Sequence, residues 1–150
     1  MASAYRTKRT KIVDAYVKQL KGINGQSPYN SNLFNEVHGN TIFLDQITQF
    51  PSVCVVAGDE TREYQPDGFK WRFLSIEIRV YVSDEEDPQE ELALLLEDIE
   101  RVIDNNDVLT YDDSVSPNLT TTSSTILTIA TDEGVLAPLG LGEIAIQVRY

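Results

Sequence analysis

The sequence predicts an α+β fold: a mainly antiparallel β-sheet with two helices packed on one face. Three observations predict it. Two segments, one near the start and one past the middle, repeat apolar residues at helical spacing. The segments between and after them alternate apolar and polar residues, or gather β-branched ones. Neighbouring strand-like segments are joined by short turns, and short turns join antiparallel neighbours. The order read from the chain is α-β-β-β-α-β-β. Its 150 residues fit a single domain spanning 1–150. No internal repeat or domain linker breaks it.

The first helix is predicted from about Ser3 to Leu20, with Ile12, Val13, Tyr16, Val17 and Leu20 on one stripe and Lys21-Gly22 as the stop. A long loop follows, at about 22–49. Its first part is rich in Gly, Asn, Ser and Pro, which marks turn chemistry. Loops of that length often serve function, so it is a candidate contact arm. Ser52–Ala57 reads as a short strand ended by Gly58-Asp59, and Glu60–Tyr64 as a second one. Gln65-Pro66-Asp67-Gly68 is a turn. Over 69–82, Leu74, Ile76, Ile78, Val80 and Val82 alternate with Phe73, Ser75, Glu77, Arg79 and Tyr81. That strand has one core face and one amphipathic face, and runs on the order of 40 Å. Asp87-Pro88-Gln89-Glu90 starts the second helix, with Asp as N-cap and Pro at the first position. Leu92, Leu95, Leu96, Ile99, Val102 and Ile103 form its buried stripe. Residues 107–118 read as a loop, Leu119–Thr131 as a Thr-rich strand and Gly140–Tyr150 as the closing strand.

Charge is unevenly placed. Residues 1–21 hold six bases (Arg6, Lys8, Arg9, Lys11, Lys18, Lys21) and one acid, Asp14, a balance of +5. The rest of the chain holds six bases and 23 acids, so the net charge is −12. A body this acidic argues against general nucleic-acid binding. A basic helix on an acidic body suits docking on an acidic neighbour, including a second copy.

Each kind of catalytic chemistry has a residue requirement that the sequence does not meet. A Ser-His-Asp arrangement needs a histidine base. The single His38 sits beside Gly39-Asn40 in a polar segment and reads as solvated. Glu90, Glu91, Glu97, Asp98 and Glu100 read as a solvated helix face rather than an acid–base pair. Gly140-Leu141-Gly142-Glu143-Ile144-Ala145 matches G-x-G-x-x-A, but that fingerprint needs a following helix, and these residues alternate like a strand. Cys54, in Val53-Cys54-Val55-Val56, reads as a buried inert thiol. No catalytic, cofactor-binding or metal residue is assigned. No apolar stretch reaches the ~20 residues of a membrane span, and the N-terminus lacks a signal-peptide pattern.

Phe50-Pro51-Ser52-Val53-Cys54-Val55-Val56-Ala57-Gly58-Asp59-Glu60, the long strand Trp71–Val82 and the acidic helix 84–103 carry a resemblance. This arrangement resembles the tail terminator, or tail completion, family of long-tailed bacteriophages, to which lambda's minor tail protein U belongs. The resemblance implies a structural virion protein and no enzyme. It implies a hexameric ring at the neck that ends tail-tube growth, contacts the tube and a head completion or neck protein, and lets DNA pass without specific binding. Under that reading Arg6, Lys8, Arg9, Lys11, Trp71, Phe73 and Tyr81 are candidate subunit-interface residues, and no particular acid is assigned to the channel wall. Two other readings stand beside it. One is a head completion, tail tube or baseplate subunit. The other, of a different class, is an acidic DNA-mimic inhibitor of a nuclease, against which the basic first helix speaks.

Overall fold

A computed structural model describes residues 6–150. Helix α1 spans Lys8–Leu20. Thr7 is extended, and its hydroxyl accepts from the Thr10 amide, 3.2 Å away, so the helix begins after it. The earlier start expected at Ser3 falls partly outside the described residues, and Arg6 stands before the helix. Ile12, Val13, Tyr16 and Leu20 are buried as the stripe predicts.

The segment after α1 is anchored rather than free. Ile23, Leu33 and Val37 enter the core. It contains a two-residue strand, β1 (Val37–His38), and a 3-10 turn at Leu44–Gln46. His38 thus lies on a strand end, half-buried beside Glu36, at 3.2 Å. Strand β2 is one continuous strand, Ser52–Tyr64, where two were expected. Its pairing with β3 (Lys70–Ser83) passes from Ala57↔Ile76 to Glu60↔Leu74. Gly58 and Asp59 are therefore a β-bulge, two residues facing one, and not a strand end. The predicted turn closes the hairpin, with Gly68 at φ +84°, a conformation glycine adopts without strain. Along β3, Leu74, Ile76, Ile78, Val80 and Val82 are all buried, as the alternation requires.

Helix α2 (Pro88–Asn105) starts as predicted. The Asp87 carboxylate accepts from the Glu90 amide at 3.1 Å, and Pro88 occupies the first turn. Asp98 corrects the sequence reading. Expected on the solvated face, it is 0% exposed. Its carboxylate accepts from the Asn30 amide, 3.0 Å to each oxygen, and from the Ser31 amide, 2.7 Å. A buried carboxylate is tolerated only when its oxygens are satisfied, and here the long segment after α1 satisfies them.

Two short strands, β4 (Thr110–Asp112) and β5 (Leu119–Thr120), pair where a loop was expected. The predicted strand 119–131 is split, and its second part is β6 (Ser123–Thr131). The break is Thr121, buried, whose hydroxyl accepts from the Leu109 amide at 2.8 Å and donates to the Asp107 carbonyl. Strand β7 (Leu139–Arg149) ends the fold. The main sheet has the order β1-β2-β3-β7-β6. Only the β1·β2 pair is parallel. Both helices cover one face of this sheet, the expected α+β arrangement.

The glycines of the rejected dinucleotide motif have a packing role. A Cβ on Gly142 would stand 3.0 and 3.2 Å from the Leu92 and Leu96 methyls, and one on Gly140 would meet Val82 at 2.7 Å. Their bare backbone lets α2 lie close on β7.

Candidate assembly interface

The candidate residues gather unevenly at the end of the sheet where α1 begins, the β2–β3 hairpin projects and β7 stops. No acid occupies the first turn of α1, which carries Lys8, Arg9 and Lys11. Cations there oppose the positive helix end, by about 0.3–1 kcal/mol each, so other contacts must hold them. Arg9 donates to the carbonyl of Gly58, exposed by the bulge. Lys11 Nζ lies 2.7 Å from the Asp112 carboxylate on β4. That contact, then hydrogen bonds from Ser114, hold the Asp112 carboxyl down at about 2. Arg6 pairs with Asp14. Lys8 makes no ion pair with a described residue, and with Phe69, Lys70, Trp71, Arg72 and Tyr150 it lines a cleft of about 390 Å³.

The aromatic rings of this cleft are held by cations. The Arg149 guanidinium lies 4.2 Å from the Trp71 ring centre, and Arg72 lies 5.7 Å from that of Tyr150. Phe69 meets Trp71 edge-on at 4.9 Å. The Tyr150 hydroxyl donates to Glu60. Burial first, then this bond and the Glu60 charge, push it up to about 12.

Phe73 follows Trp71 on the sheet face that carries no helix and is half-buried. Glu77, Arg79 and Glu143 occupy the middle of that face. Burial, then the neighbouring Glu77, raises the Glu143 carboxyl. Tyr81 is engaged inside the chain. It is 5% exposed, and its hydroxyl donates to the Ile42 carbonyl at 2.8 Å, which ties the segment after β1 to β3. Cys54 is buried, as its apolar run predicts.

The structure therefore brings Lys8 and Trp71 into one cleft, leaves Arg6, Arg9, Lys11 and Phe73 outside its lining, and places Tyr81 at the other end of β3. Sequence reasoning missed Phe69, Lys70, Arg72, Arg149 and Tyr150. Arg149 faces Phe73 across the β3–β7 register, and no local pattern reveals that pairing. Among the described residues, no group of three or more His, Cys, Asp or Glu side chains is placed to hold a metal ion.

Comparison with known proteins gives concordant results. The chain is 41% identical to the tail tube terminator protein p142 of Escherichia phage T5, over 95% of this chain and 92% of that protein. Its fold matches a chain from the virion of a native gene transfer agent particle, with a TM-score of 0.58, 10% identity and 92% of each chain covered. The family model described as bacteriophage tail tube terminator protein matches residues 6–150. With the whole described chain matched, the protein belongs to the bacteriophage tail tube terminator family.

Proposed function

We propose that six copies of the chain form a closed ring on the end of the tail tube, stop its elongation there, and join the tail to the head–neck complex while DNA passes through the bore. The family match over residues 6–150 carries this reading. Membership makes the chain a phage virion component. Its partners in this reading are further copies of itself, the tail tube protein and a head completion or neck protein.

Two physical features support an assembly role. The nine residues of β6 contain no charge, lie at the sheet edge, and expose Leu127 and Ile129. Proteins that stay alone usually blunt such an edge with charge, proline or cover. The acid excess of the body would also repel phosphates in a bore, so that DNA slides rather than binds.

Cryo-electron microscopy of the parent particle tests the proposal. The expected result is a ring of this chain at the head-proximal end of the tube. Density for the chain elsewhere in the particle refutes it, as do tails of normal length in particles lacking the protein.

A further inference from the structure

We infer that copies of this chain join head to tail, with an apolar knob at Val135-Leu136, collared by acids, seated in the cationic aromatic cleft of the next copy. The inference rests on the ring reading above and names the surfaces that would close the ring.

The knob is a built feature. Val135 is 82% exposed and Leu136 37% exposed, in the connection from β6 to β7. The Asp132 carboxylate ties that connection together, accepting from the Leu136 amide at 3.0 Å, from Gln89 at 2.9 Å and from the Leu141 amide at 3.3 Å. Burial acts to raise its pKa, but these bonds outweigh burial and leave the carboxyl below the usual range. The Asp84 amide donates to the Pro138 carbonyl at 2.9 Å, which fixes the knob against the start of α2. Gly134, at φ +86°, makes the sharp turn that presents Val135. An apolar side chain held this far into water, in a loop this well tied, is preorganised for a contact.

The collar is acidic. Glu133 flanks the knob in sequence, and the Asp84–Asp87 segment flanks it in space, with Glu85, Glu86 and Asp87 exposed. No base lies in either segment. The cleft is the complement in both respects. Phe69 and Trp71 offer apolar ring surface, and Lys8, Lys70 and Arg72 supply cations around it. Apolar contact at the centre with opposite charge at the rim is the usual anatomy of a specific interface.

Position makes the contact intermolecular. Leu139 pairs with Ser83 and Arg149 with Phe73, so the knob lies beyond one end of β3 and the cleft lies at the other. The run of β3 from Trp71 to Ser83 separates them by roughly 40 Å. A chain cannot fill its own cleft. Two different surfaces on each copy make a heterologous contact, which closes into a ring or runs on as a filament.

The test uses full-length protein with Val135→Cys and Lys70→Cys together, and each alone. Cys54 is buried and stays out of the chemistry. Under mild oxidation the double variant is expected to give a ladder of covalent oligomers, while each single variant stays uncrosslinked. Self-association is measured in parallel by sedimentation. Association without a ladder overturns the knob-and-cleft contact but leaves a ring built through other surfaces. A chain that is monomeric at every concentration overturns the contact too, while the ring on the tube is judged separately by microscopy of the particle. A second variant set checks the charge. Lys8→Glu with Lys70→Glu is expected to weaken association on the order of tenfold. Adding Glu86→Lys and Glu133→Lys in the same chain is expected to restore it. Unchanged association after the first pair, or no recovery after the second, overturns the proposal.

Discussion

Replacing Asp98 with alanine removes a carboxylate that ties the segment after α1 to α2. Two backbone donors, Asn30 and Ser31, lose their acceptor. A hydrogen bond to a charged group contributes about 1.5–3 kcal/mol, so the two donors set an upper bound of roughly 3–6 kcal/mol. The net loss is smaller. Both donors lie near the surface and regain water, and the desolvation of the carboxylate is relieved. A loss of about 2–4 kcal/mol is expected. With a urea slope of about 2 kcal/mol/M, the unfolding midpoint falls by roughly 1–2 M. The melting temperature of a chain this size falls by about 6–12 °C for a loss near 3 kcal/mol. Asp98→Asn keeps one acceptor oxygen and is expected to fall between alanine and wild type. Urea unfolding followed by circular dichroism measures both variants, and hydrogen exchange at Asn30 and Ser31 reports whether the segment loosens. A stability for Asp98→Ala within about 0.5 kcal/mol of wild type, with exchange unchanged, refutes the anchoring role.

Three further outcomes follow from other contacts. Gly142→Ala places a methyl against Leu92 and Leu96 at close range, and overpacking of this kind costs about 1–3 kcal/mol; unchanged thermal stability contradicts that packing account. Asp87→Ala removes the α2 cap and is expected to lose about 1 kcal/mol, whereas Asp87→Ser keeps most of it; equal losses in the two variants rule out capping as the cause. The Asp112 carboxyl is depressed from 3.8 to about 2, first by Lys11 and then by Ser114. Because its folded value lies below the unfolded one, its contribution is full above pH 3.8 and is lost as pH falls through about 2. Lys11→Met is expected to flatten that acid limb, and a stability profile over this range that matches wild type argues against the pairing.

The two helices, the long β3 strand and its hairpin turn were legible because their signals are local. Amphipathic periodicity, an Asp-Pro helix start and a Pro-Asp-Gly turn each act within a few residues. At Gly58-Asp59, glycine followed by an acid signals a strand end and a bulge alike, and only the partner strand decides between them. Asp98 reads as solvated from the sequence for a similar reason. On a helix with six acids between Glu90 and Asp104, nothing local marks the one that meets backbone amides from a segment 67 residues earlier.

By itself, then, the sequence determined the α+β class, the buried stripes, the charge asymmetry and the family, all properties of residue order. Which residues stand together in the candidate interface cleft was decided by tertiary structure. Lys8, Trp71 and Tyr150 come from the start, middle and end of the chain and share one cleft because α1, β3 and β7 begin or end there. Strand register, set by long-range pairing and the bulge, aligns those ends and puts the Val135-Leu136 knob at the opposite one.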